Sequence, residues 1–182
     1  MKGDGNSLST LLQKLYFYMI PTQKGRTKYV IKHKNMFHSV GEDLFFQPRK
    51  FPADPERISI GNNVKIAANV GFVNHDIVHY MLNCKFKSKE FLPSRGCIEI
   101  GDNVMIGARV LILPNVRIGN NVVIGAGSIV NKDIPDNCVA AGIPCKVVGS
   151  FDDLVEKRRK VKVVHSDASK YWEEFYEQRK WQ

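Results

Sequence analysis

No stretch of this chain approaches the roughly 20 consecutive apolar residues of a membrane-spanning helix, which argues against a protein built to cross a bilayer. Nor do its four cysteines (Cys84, Cys97, Cys138 and Cys145) form a CxxC pair or the even framework of a small secreted scaffold. Reduced, buried cysteines in a cytoplasmic protein therefore fit better than a metal site or a disulfide network. Acidic residues are scarce, 18 against 27 Lys and Arg, leaving a net charge of +9. No aromatic–basic alternation accompanies that excess, so it does not read as a nucleic-acid groove. A phosphate-bearing ligand, an acidic acceptor or an anionic surface fits it better. With 182 residues there is material for one domain with a real core. A composition of 43% hydrophobic and 25% charged residues excludes a disordered chain.

What the sequence has is a repeat of six. From residue 100 it divides into IGDNVM, IGARVL, ILPNVR, IGNNVV, IGAGSI and VNKDIP, and IGNNVK with IAANVG at 60–71 share the frame. The leading column runs Ile60, Ile66, Phe72, Ile100, Ile106, Ile112, Ile118, Ile124, Val130. Four places on, Val64, Val70, Val104, Val110, Val116, Val122 and Ser128 form a second column. Both columns can enter one interior only if the chain turns between them, and Gly or Asn fills many intervening places. A flat sheet has period two and a helix 3.6; period six with tight corners predicts short strands wound into a stacked solenoid. Spacing alone leaves the hand open, and the general rule for parallel crossovers favours a right-handed coil.

The stretch IEIGDNVMIGARVLILPNVRIGNNVVIGAGSIVNKDIPDNCVAAGIPCKVV, residues 98–148, resembles the hexapeptide-repeat acyltransferases. It is most similar to their maltose, galactoside and xenobiotic O-acetyltransferase branch and its capsule-biosynthesis relatives. That resemblance implies an all-β solenoid, a left-handed parallel β-helix, assembled as a homotrimer, with acetyl-CoA as co-substrate and a saccharide or glycan hydroxyl as acceptor. The helix is expected over 40–148, with a protruding loop at 73–97 where the frame breaks. Residues 1–39 are expected to hold a short helix and an extended segment. The helix is read from Leu8, Leu11, Leu12, Leu15 and Met19, with Ser7 as its cap, and is expected to dock on the body. Residues 149–182 should form a helical tail, entered through Ser150 and Asp153. Its aromatics Tyr171, Trp172, Phe175 and Tyr176 could cover an open end of the solenoid, a partner or a membrane surface. The location expected is cytoplasmic.

His75, at the root of the loop, resembles the family's catalytic histidine. An imidazole, with an ordinary pKa near 6.5, suits removal of a proton from an acceptor hydroxyl. Asp76 is adjacent and in an extended segment points the other way. Asp54 should lie about one coil from His75, as an acceptor contact or as a plain turn residue, and Asn74 is a second candidate acceptor contact. The resemblance further implies that the Ala108 backbone N–H holds the thioester oxyanion. It places Ala126 on pantetheine and Asn131, Lys132 and Lys146 around the nucleotide phosphates. Where the galactoside branch carries Ser at the first of these, this chain has Ala108, which keeps the amide and loses a hydroxyl. Two rival readings stand beside this one. The first is a non-catalytic scaffold or binding module. The second is a zinc enzyme of the carbonic-anhydrase type built on His75 and His79, for which residues 98–148 offer no histidine, so that a third ligand requires His33 or His38 to fold in; no metal is expected.

Overall fold

Every leading residue from Ile100 to Val130 is buried in the computed structural model, and so are Val104, Val110, Val116, Val122 and Ser128 of the second column. The model describes residues 8–161, 167–177 and 179. It divides into two units, residues 1–151 and 152–182.

The first unit opens with α1 (Leu8–Met19) and α2 (Gln23–Lys32). The chain then runs β1 (Ser39–Val40), β2 (Phe45–Phe46), β3 (Ile58–Ile60), β4 (Lys65–Ile66) and β5 (Gly71–Phe72). After α3 (Val78–Phe86) come β6 (Ile98–Ile100), β7 (Val104–Ile106), β8 (Leu111–Ile112), β9 (Val116–Ile118), β10 (Val122–Ile124) and β11 (Ile129–Val130). A hairpin of β12 (Cys138–Ala141) and β13 (Lys146–Ser150) closes the series.

These strands fall into three sheets, ordered β1-β3-β6-β9, β13-β12-β10-β7-β4-β2 and β11-β8-β5. All pairings but the last hairpin are parallel. From β3 to β11 the chain visits the three sheets in rotation and returns to each one layer further along. Ile98 pairs with Val116 and Val104 with Val122, a step of 18 residues, or three hexads. Between Ile58 and Ile98 the step is 40, so 22 extra residues leave the regular path there.

The corners explain the Asn and Gly content. Asn63, Asn103, Asn121 and Asn137 all have φ between 53° and 57°, the left-handed region that Asn tolerates. Their side chains form a ladder up the stack, Nδ2 to Oδ1, at 2.9, 3.0 and 2.8 Å. At the next corner Gly107 is obligatory for a different reason: a Cβ there would lie 2.5 Å from the Ala126 backbone nitrogen.

The N-terminal segment departs from expectation twice. One helix and an extended segment are expected over 1–39, but residues 23–32 form a second helix, α2, capped by the Thr22 hydroxyl accepting from the Gly25 N–H at 3.1 Å. Further, α1 docks through Phe17, fully buried against the rings of Tyr29, Phe46 and Phe51, whereas Leu11, Leu12, Leu15 and Met19 are exposed. The helix has two apolar faces, and an aromatic pocket holds the single Phe better than the flexible Leu stripe. The cap expected at Ser7 lies outside the described residues.

The 73–97 excursion is not plain loop either, since α3 occupies its centre. Two cysteines, Cys84 and Cys97, are exposed rather than buried, both belonging to this excursion and not to the stack; Cys138 and Cys145 are buried. At the other boundary α4 (Phe151–Arg159) begins beside Ser150, with Asp152 and Asp153 in its first turn and Lys157, Arg158 and Arg159 in its last. The second unit also holds α5 (Ala168–Glu177). Its aromatics, expected to cover a surface, are exposed, and Trp172, Phe175 and Tyr176 pack on one another.

Candidate active site

Leaving β5, the chain passes Val73 and Asn74 and meets its own return path. The Gly96 N–H donates to the Asn74 carbonyl at 2.7 Å, and His75 and Arg95 form an antiparallel bridge. This two-stranded neck fixes the backbone on both sides of His75 before the chain enters α3. Asp76 is taken up locally, its Oδ1 accepting from the Val78 N–H at 2.9 Å at the start of that helix. As the sequence suggested, it does not serve the imidazole.

Asp54 does. Its Oδ2 lies 2.7 Å from His75 Nδ1, with the two side chains 25% and 41% exposed. The backbone of Asp54 performs the turn, its carbonyl accepting from the Arg57 N–H at 3.1 Å, while its side chain makes no cap. Sequence reasoning placed it one layer from His75 but assigned it to an acceptor or a turn, not to the histidine. The signal was available in the register: Ser39 pairs with Ser59 and Phe45 with Lys65, a step of 20 that sets residue 54 beneath residues 74–75.

Asn74 is buried, 2% exposed. Its Nδ2 donates to the Gly96 carbonyl at 3.3 Å, and its Oδ1 is buried without a protein partner among the described residues. It therefore serves the neck first. His79, in α3, lies against the Tyr80 ring in a tilted arrangement and does not join His75 in a metal cluster; no group of three potential ligands occurs among the described residues.

Ala108 and Ala126 occupy successive layers of one corner, where the Gly127 N–H donates to the Ala108 carbonyl at 2.8 Å. Among the described residues the Ala108 N–H has no protein acceptor. Asn131 and Lys132 follow β11 and are exposed. Lys146, also exposed, opens β13 opposite Ala141. The Cys145 N–H donates to the Ile129 carbonyl at 2.8 Å and ties this hairpin to β11. The structure thus joins His75 to Asp54 in one contact and gathers Lys146 near the end of β11.

The repeat of six and the fold it builds have counterparts. Residues 97–132 match the family model for bacterial transferase hexapeptide repeats (six repeats). Galactoside O-acetyltransferase of Escherichia coli K12 is 42% identical over 141 residues, 66% of this chain and 67% of that protein. The chain belongs to the hexapeptide-repeat acyltransferases. Two solved relatives agree with it in fold. A galactoside acetyltransferase in complex with coenzyme A superposes with a TM-score of 0.60 at 32% identity, over 82% of each chain. A maltose O-acetyltransferase from Clostridium difficile 630 gives 0.56 at 27% identity, over 80% of this chain and 90% of its own. As a member of this family the protein is an acetyltransferase, and acetyl-CoA is its acyl donor.

Proposed function

We propose that this acetyltransferase moves the acetyl group onto a hydroxyl of a saccharide or polysaccharide precursor, with His75 as general base. The observation that carries the reading is the 2.7 Å contact between His75 Nδ1 and Asp54 Oδ2. An ionised carboxylate only accepts, so Nδ1 carries the proton and Nε2 is left with its lone pair for an acceptor hydroxyl. The alkoxide forming at Nε2 attacks the thioester carbonyl of acetyl-CoA directly. The oxyanion gains the Ala108 N–H, a fixed donor without a protein acceptor. As the tetrahedral species collapses, the C–S bond breaks and the imidazolium returns its proton to the CoA thiolate. The acetyl ester and free CoA are the products. No covalent acyl-enzyme is needed, and both substrates are bound together. Asn74, buried beside His75 with a free Oδ1, and Asp54 are the acceptor-side candidates; on our reading Asp54 serves through the histidine.

In this proposal Ala126 leaves room for the pantetheine arm, and Asn131, Lys132 and Lys146 receive the nucleotide end. The rotation through three sheets is read as a left-handed β-helix, three such chains form a homotrimer, and the enzyme works in the cytoplasm. Identity to galactoside O-acetyltransferase supports the saccharide acceptor, and Asp54 beside His75 favours catalysis over a scaffold.

The test is an acceptor screen with acetyl-CoA, scored by a gain of one acetyl in product mass, run on wild type and His75→Ala. Wild type should acetylate at least one saccharide, and the variant should lose about 10²–10⁴ in kcat. A variant retaining more than a tenth of wild-type kcat overturns the base assignment. Light scattering on the active protein checks the trimer, and a fully active monomer overturns it.

A further inference from the structure

We propose that the α1–α2 hairpin is a docking surface for an anionic phospholipid bilayer. Leu11, Leu12, Leu15, Tyr18 and Met19 are each more than half exposed, although the helix is already anchored through Phe17. Residues 11, 12, 15 and 19 share one face of α1 at helical spacing. On α2, Lys24, Lys28 and Lys32 recur every fourth residue, and all three are exposed. Leu12 and Tyr16 of α1 and Lys28 and Lys32 of α2 line one groove of about 610 Å³, so the apolar face meets the lysine stripe along its Leu12 edge.

The charge around that space has one sign. Residues 8–41 contain five lysines and one arginine and no Asp or Glu. The arginine, Arg26, is internal, donating to the carbonyls of Ile20 and Gln47 at 2.7 and 3.0 Å. Every exposed charge on the hairpin is therefore a lysine. An apolar helical face rimmed by lysines is the arrangement that lies in a bilayer interface, its side chains entering the acyl boundary while the ammonium groups meet lipid phosphates. A second copy meeting this face across a two-fold axis would bring the same lysines to the same seam, which charge repulsion disfavours. At 12 residues α1 is about 18 Å long and lies on a surface rather than crossing it. This inference stands apart from the identity of the acetyl acceptor.

The experiment is flotation of the full chain with vesicles of phosphatidylcholine alone and of equal parts phosphatidylcholine and phosphatidylglycerol. The protein should float with the mixed vesicles and not with the neutral ones, and high salt should release it. Replacing both Leu11 and Leu15 by Ser should abolish flotation. Replacing both Lys28 and Lys32 by Ala should weaken partitioning about 25-fold, roughly fivefold per lysine. All four positions are on the surface, and unchanged circular dichroism assigns the losses to docking. Failure of wild type to float with the mixed vesicles overturns the proposal, as does flotation undiminished in both variants. A vesicle-free particle mass that falls on the Leu11/Leu15 substitution also overturns it, because the face is then covered by a partner protein chain.

Discussion

Asp54 Oδ2 stands 2.7 Å from His75 Nδ1 across 21 residues of chain, and the register of the first two layers is what brings them together. Two anchors hold the pair. The 3-10 turn Pro55–Arg57 fixes Asp54, and the neck formed with residues 94–96 fixes His75. On the proposed reading this contact selects the tautomer with its proton on Nδ1 and aims the ring for whichever acceptor arrives.

Replacing Asp54 by Ala should lower kcat by about 10–100-fold, the rate equivalent of one hydrogen bond to a charged group. The KM for acetyl-CoA should be nearly unchanged, because on the proposed reading the carboxylate acts through the histidine. Steady-state kinetics at saturating acceptor make the measurement. A change confined to the acceptor KM would return Asp54 to the role of acceptor contact.

The asparagine ladder carries a stability prediction. Asn103 has φ 57° and bonds at 2.9 and 3.0 Å to Asn63 and Asn121. Asn103→Ala forces a Cβ-bearing residue without a local polar partner into the left-handed region and removes both bonds, at about 2–3 kcal/mol. Asn103→Gly removes the bonds but relaxes the backbone, and should cost about 1 kcal/mol. Urea unfolding at one protomer concentration compares them, and equal losses would mean that the backbone angle is not the issue.

The layered part of the fold was legible because its residues obey one rule six at a time. Ile60, Ile100 and Ile118 occupy one sheet and are buried alike, so periodicity alone predicted their environment. The ends follow no such rule. In α2, Gly25 and the β-branched Val30 and Ile31 argue locally against a helix; burial of Tyr29, Val30 and the Arg26 stem overrides that weak preference. In α1 the periodic Leu stripe is the more conspicuous face, yet Phe17, outside the stripe, is the anchor, because its receptor is a cluster of rings distant in sequence. His75 stood out as a candidate from its neighbours and from resemblance. Its partner was half legible: the layer of Asp54 could be counted, but the direction of its side chain depends on a turn that breaks the period.

Cysteine chemistry should separate the excursion from the stack. Burial pushes the Cys138 thiol up, and Asp136 adds to this. Burial likewise raises Cys145, partly opposed by a hydrogen bond with Ser128. Fewer reactive thiolates and closed access should protect both, while Cys84 and Cys97 are exposed. Brief alkylation of the native protein should give adducts at Cys84 and Cys97 first, with all four modified after denaturation. Peptide mapping reads the order, and early modification of Cys138 or Cys145 would mean that the last layer opens readily.

Lys146 offers the sharpest test of how the coenzyme lies. It is exposed at the start of β13, and the Cys145–Ile129 hydrogen bond holds the hairpin beside β11. If the nucleotide end of acetyl-CoA reaches this corner, the lysine meets the 3′-phosphate as a point charge without the fork of an arginine, a modest and salt-sensitive contact. A charge-assisted hydrogen bond at the low end of its range corresponds to about tenfold in Kd. Wild type should therefore bind acetyl-CoA about ten times more tightly than its 3′-dephospho analogue, and Lys146→Ala should lose most of that preference with kcat nearly unchanged. Lys132→Ala should show a smaller loss, because it lies on the segment after β11 rather than on the hairpin. The preference should also shrink as salt is raised, since an exposed lysine is screened within a Debye length of about 8–10 Å. An equal preference in wild type and Lys146→Ala would place the phosphate on another edge of the stack.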